Sequence, residues 1–276
     1  MSAFRIAVPA VVERTVLVAA VSLLAAASWV VLWVSDLNFH HLQGRPEWTA
    51  LLRPSLWFVS AAAWTVMCVA MMLPTSLPVL AALHTLAAVR RDRGLLVFLT
   101  GLGYLAAWGV FGALVAPLSL GLQTAVATWS GPDVLVRVLA PGLLLTAGLF
   151  QFSSLKFRCL DRCRSPLSVV LSHWHGRHQR WQALRLGWAS GVFCVGCCWA
   201  LMLLMFLSGV GHLAWMLGLG VVMALEKNAR WGRRLSTPVG VALILGAVIV
   251  LLTGTGPLLV SGTAAAELCA PGSRLP

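Results

Sequence analysis

Residues 191–205 read GVFCVGCCWALMLLM, an apolar run of membrane-helix character that carries Cys194, Cys197, Cys198, Met202 and Met205. At about 100° per residue these five sulfur side chains fall within about 140° of arc, so a helix collects them into one stripe while Trp199 and Gly196 point elsewhere. That stripe needs a helix, and the helix needs a membrane. Hydrophobic residues make up 59% of the 276 and charged residues 10%, proportions outside the range of soluble domains.

Apolar stretches of about 20 residues, the length that crosses a bilayer as helix, recur along the chain. Seven spans are expected, near 15–34, 56–78, 95–117, 134–153, 187–207, 210–226 and 238–255. The fold class is therefore all-α, a polytopic transmembrane helix bundle in which residues 1–276 form a single integral membrane domain. The fifth and sixth spans are joined through the short turn at Ser208 to Gly211 as a helical hairpin. Beyond Pro74 and Pro78 the second helix continues with a kink.

Charge sets the orientation. With a cytoplasmic N-terminus, sixteen of the 20 Lys and Arg fall on the inner side, whereas Arg45, Arg53 and Arg274 fall outside and Arg137 starts the fourth span. This is the positive-inside pattern, and it supports seven helices with the C-terminus outside. The net charge of +12 thereby has a topological origin, and nucleic acid is excluded as a partner; the lipid bilayer is the first partner, with anionic headgroups beside the inner loops. Ala25-Ala26-Ala27 resembles a signal-peptide cleavage site, but the apolar run extends to Val34, so an uncleaved first helix is expected.

Two further helices carry related stripes. In WTVMCVAMMLP (64–74), Met67, Cys68, Met71 and Met72 share one face just before Pro74. On the sixth helix His212, Met216, Met223 and Glu226 lie within about 80° of arc. Thiolate and thioether donors in a dry interior select Cu(I), and thiolate with imidazole also serves Zn(II), so copper is the expected ion and zinc the lesser alternative. The opposing reading is packing, since Met and Cys fill membrane cores readily.

The cytoplasmic segment LKFRCLDRCRSP (155–166) spaces Cys159 and Cys163 four apart, on one helix face. Lys156, Arg158, Arg162 and Arg164 surround them with positive charge, which is expected to lower their pKa and make them a cytosolic thiol site for a metal carrier. His173, His175 and His178, and His40 and His41 beside Trp48, are expected to be solvated loop residues; Cys269 stands alone in the tail.

The segments AAWTVMCVAMMLPTSLPVL (62–80), FQFSSLKFRCLDRCRSPLSVV (150–170) and GVFCVGCCWALMLLMFLSGVGHLAWMLGLGVVMALEK (191–227) resemble the three signature blocks of a bacterial membrane family known as domain of unknown function 2182. With their spacing they cover about residues 55 to 250. The resemblance implies a predicted metal-binding integral membrane protein. This chain departs from the pattern at Gly211 and His212, where family members carry Met and Asn.

Three functions remain open. The first is a metal-handling protein, for transport or delivery, that holds copper between helices two, five and six through Cys194, Cys197, Cys198, Met202, Met205, Met67, Met71, Met72, His212 and Met216, with Pro74 and Gly209 supplying the bend and close approach of a gate. The second is a membrane thiol-disulfide oxidoreductase using Cys194 and Cys197. The third is a non-catalytic scaffold subunit bound to a partner membrane protein. No Ser-His-Asp set, phosphate-binding glycine loop or HExxH is present, so no catalytic residue is assigned.

Overall fold

A computed structural model describes residues 2–42, 56–88, 90–129, 138–174, 178–206 and 213–253. Among the described residues the chain is helical without strands. Its helices are α1 (Ser2–Leu42), α2 (Leu56–Met71), α3 (Leu77–Leu86), α4 (Arg93–Trp129), α5 (Ala140–Phe150), α6 (Ser154–Cys163), α7 (Pro166–His173), α8 (Gln179–Leu203), α9 (Leu213–Asn228) and α10 (Gly232–Thr253).

Helices overlap the seven expected stretches without all reaching spanning length. Four are long and apolar enough to cross a membrane, over Thr15–Ser35, Arg93–Val115, Gln179–Leu203 and Gly232–Thr253. A fifth is gained if Ala61–Met71 and Pro74–Leu86, bent by 47° at their junction, make one span. The other two, α5 with 11 residues and α9 with 16, fall short of the roughly 20 residues of a straight crossing.

The bend in the second span has the expected cause. Pro74 and Pro78 interrupt the helical hydrogen-bond ladder, and a short 3-10 turn at Pro74–Ser76 connects α2 to α3. Side chains then take over carbonyls at the break: Thr75 Oγ1 donates to the Met72 carbonyl at 2.8 Å and Ser76 Oγ to Leu73 at 2.7 Å. Tyr104 of α4 adds a bond from its hydroxyl to the same Met72 carbonyl at 3.1 Å. Non-helical backbone at membrane depth is tolerated only with such local partners.

Helix α8 begins at Gln179, upstream of the expected 187. The charged first turns still fit, because Arg180 and Arg185 lie on the exposed side while Ala183, Leu186 and Gly187 pack inward. Small residues let α8 lie close to α4: a Cβ at Gly187 would collide with the Thr100 carbonyl, and one at Gly103 with that of Leu184. Thr100 Oγ1 bridges the two helices, reaching Leu96 O at 2.9 Å and Ala183 O at 3.1 Å. This is membrane-type association, driven by packing and interhelical hydrogen bonds rather than by apolar burial. Trp64, on α2, packs with Trp108 and Phe111 of α4 and donates its indole N–H to the Trp108 carbonyl at 3.0 Å.

The amphipathic α6 is clamped beneath the bundle. Lys156 inserts from it and meets both Glu226 oxygens at 2.8 Å, with the two side chains 0% and 1% exposed. Ser236 of α10 adds a bond to Glu226 at 2.9 Å, and Arg164 donates to the Glu226 and Arg230 carbonyls at 2.7 and 3.1 Å, covering the C-terminal end of α9. A surface pair, Arg233 with Asp161 at 3.0 Å, completes the attachment, and Arg233 also lies over the Phe157 ring.

Candidate functional site

The helical period brings the two long sulfur stripes together. Met67, Cys68, Met71 and Met72 of α2 and its junction pack in one buried cluster with Cys194, Cys197, Cys198, Met202 and Met205 of α8 and its 3-10 continuation. Met216 and Met223 of α9 join the same cluster, and a Cβ at Gly220 would lie 3.0 Å from the Met71 methyl. His212, Gly209 and the Ser208 to Gly211 turn lie outside the described residues, as do Trp48, His175 and Cys269, whereas His40 and His41 fall in the last turn of α1 and not in the loop expected for them.

Within the cluster the sulfurs form a run rather than a ring. Cys163 Sγ of α6 stands 3.9 Å from Cys197 Sγ, which is 3.4 Å from Cys198 Sγ and 3.2 Å from the Cys194 carbonyl. One turn further, Cys194 Sγ lies 3.9 Å from Met72 Sδ across the helix interface. Among the described residues no group of three or more His, Cys, Asp or Glu side chains converges to hold a metal ion, so the closed four-ligand arrangement of structural zinc is not preformed. Methionine sulfur counts as a donor for soft ions, and adjacent pairs in this run have separations that two metal–sulfur bonds of about 2.3 Å can bridge.

One expectation about the thiols of α6 changes and one contact is added. α6 packs against α8 and lays the Cys163 thiol onto Cys197. Gly196, off the stripe, faces α6: a Cβ there would stand 2.6 Å from Cys159 Sγ, so the missing side chain is what lets α6 approach. The anticipated lowering of the thiol pKa fails at Cys159. Burial pushes its thiol up instead, because Lys156 is engaged with Glu226 and Arg164 with carbonyls, leaving desolvation as the dominant influence. All six described cysteines are free thiols.

Sequence reasoning missed the polar partners of Cys194. Lys227 Nζ, in the last turn of α9, donates to Cys194 Sγ at 2.8 Å and to Thr75 Oγ1 at 3.2 Å, and lies 3.6 Å from Met72 Sδ. Tyr104 OH is 2.8 Å from the same Cys194 sulfur. Both had a signal: an ionisable residue at membrane depth and the only tyrosine of the chain in an apolar span each require a buried partner. Glu226, on the α9 face with Met216 and Met223, is committed to Lys156 and Ser236.

The remaining histidines stay apart from the sulfurs. His173 Nδ1 lies 2.9 Å from the Val169 carbonyl and 3.0 Å from Ser172 Oγ. His178 is exposed at the N-terminus of α8 with φ of 50°. Trp199 packs edge-on against Phe150, their ring centroids 4.9 Å apart.

Residues 61–250 match the family model described as PpoB2: Copper chaperone. The match covers more than half of the chain, which belongs to this family. The family shown is thus a copper-handling one, and its span encloses both sulfur stripes, α6 and Lys227. No curated protein and no solved structure matches the chain.

Proposed function

We propose that this chain is a membrane copper chaperone that receives Cu(I) on the thiols of α6 and moves it, for transport or delivery, along the run of sulfurs into the bundle. The observation that carries this reading is two sets of soft-donor contacts one helical turn apart, Cys163 with Cys197 and Cys198, and Cys194 with Met72, joined to membership in a copper chaperone family. Low-coordinate Cu(I) exchanges between neighbouring thiolate and thioether ligands, and a run of pairs suits exchange better than a closed cage. Cys159, above Gly196, and Cys163 face the cytosolic carrier that supplies the ion. Met67, Met71, Met202, Met205 and Met216 line the deeper stretch between helices two, five and six of the sequence-based count. The bend after Met71 gives that stretch two arrangements.

In this reading the chain is one integral unit of the bacterial inner membrane that crosses it seven times with the N-terminus inside. The sixteen basic residues on the inner side and the charged underside of α6 support that orientation.

The test is metal content by mass spectrometry on the full chain purified anaerobically in mild detergent and offered Cu(I), beside a Cys194→Ser, Cys197→Ser, Cys198→Ser variant of unchanged elution volume. Near-stoichiometric copper in the parent and its loss in the variant is the expected result. Absence of copper from both would leave the sulfurs as packing and overturn the reading, turning attention to thiol redox chemistry or a scaffold role.

A further inference from the structure

Lys227 is 6% exposed, and among the described residues no carboxylate reaches its ammonium. A buried cation without a carboxylate is costly, so the position needs a reason beyond packing. Its neighbours supply one. The ammonium lies 2.8 Å from Cys194 Sγ and 3.6 Å from Met72 Sδ, and those two sulfurs are themselves 3.9 Å apart. That pair is where the copper reading seats the ion, and the lysine already lies against both members.

Room for the lysine to leave is built beside it. A cavity of about 20 Å³, enough for one water molecule, is bordered by Thr75, Ser76, Ser190, Cys194 and Lys227, with Arg162 also in its wall. Thr75 Oγ1 already takes a bond from the ammonium at 3.2 Å. Ser190 Oγ is buried with no hydrogen-bond partner among the described residues, although buried hydroxyls are ordinarily paired. A cation displaced from the sulfurs toward the cavity meets hydroxyl oxygens, which suit a hard ammonium better than thioether does.

We propose that Lys227 is a tethered competitor for the Cys194–Met72 pair: it rests on the two sulfurs when the ion is absent, withdraws toward Thr75 and Ser190 when Cu(I) replaces the Cys194 thiol proton, which leaves to water, and returns as water reprotonates the thiol to drive the ion out. This rests on the copper reading above and adds to it a device for release, which delivery requires and tight sulfur ligation opposes. It also sets specificity. An ammonium a few ångströms away repels a divalent ion about twice as strongly as a monovalent one, so Zn(II) is disfavoured at a pair that admits Cu(I).

The experiment follows transfer of copper from the anaerobically loaded full chain in detergent to a soluble Cu(I) chelator, by stopped flow, with Zn(II) content measured in parallel. Lys227→Met is expected to slow release by about tenfold to a hundredfold, the scale of one hydrogen bond to a charged group, and to bind Zn(II) that the parent chain refuses. Lys227→Arg, which keeps the charge, is expected to release faster than Lys227→Met. Should Lys227→Met not elute as a folded species, Lys227→Gln decides, with the same slow release expected from the loss of charge. Parent-like release and zinc exclusion in Lys227→Met or Lys227→Gln, while Cys194→Ser loses copper, would overturn the competitor role and leave the copper reading standing. A parent chain that binds no copper would overturn both.

Discussion

Two lysines are buried in this bundle, and they are treated differently. Lys156 reaches both oxygens of Glu226, whose carboxylate also receives Ser236, so its charge is matched by an opposite one with its hydrogen bonds directed. Lys227 has a thiol sulfur, a thioether and one hydroxyl, and a small cavity at its side. The adjacent residues Glu226 and Lys227 belong to opposite arrangements: Glu226 locks α6 to α9, whereas Lys227 is held by soft partners that bind a metal more strongly than an ammonium. A fully paired buried charge fixes geometry, and an incompletely paired one keeps a second position available.

The contrast is broken most directly at the clamp. Lys156→Met or Glu226→Gln alone strands the partner, and each is expected to cost about 3–5 kcal/mol in thermal unfolding of the detergent-solubilised chain. The double variant is expected to recover most of that, and equal losses in the singles and the double would show that the pair does not act as a unit. The same measurement on Lys227→Met is expected to give a smaller loss, about 1–3 kcal/mol, because hydrogen bonds to a thiol, a thioether and a hydroxyl are removed without stranding a carboxylate.

Next in size is Gly196→Ala. Its Cβ would press on Cys159 Sγ at 2.6 Å, and an expected cost of about 1–3 kcal/mol should shrink when Cys159→Ala is added, as a double-mutant cycle would record. The raised pKa of Cys159 gives a pH prediction. Since burial favours its neutral thiol, alkylation of Cys159 in the folded chain should rise at higher pH than in the denatured chain, and coincident profiles would contradict the burial. Smallest is Arg233→Ala, where both partners are about half exposed, and a loss below about 1 kcal/mol is expected.

The sulfur faces were legible because the period of a helix is local. Spacing alone puts Cys194, Cys197, Cys198, Met202 and Met205 on one stripe and Met67, Cys68, Met71 and Met72 on another, and hydropathy places both stripes in apolar helices. Their meeting was not legible, since helix rotation and neighbour order depend on residues far apart in the chain. Lys156 and Glu226 are separated by 70 positions, so nothing local shows that α6 folds back under α9 and carries Cys163 to Cys197. The same absence of long-range information misdirected the reading of the thiols: four basic residues near Cys159 suggested an electropositive pocket, but Lys156 and Arg164 are engaged elsewhere. Lys227 was legible only as a charge at a helix end. Its contact with Cys194 depends on the tilt of α9 against α8.

The central claim is that the sulfur run, and not the loop histidines or the carboxylates, holds the ion. X-ray absorption at the copper edge of the Cu(I)-loaded full chain tests it most directly. A first shell of two or three sulfurs without nitrogen or oxygen is the predicted result. A shell dominated by nitrogen or oxygen, or one unchanged when Cys194, Cys197 and Cys198 are all replaced by Ser, would contradict it.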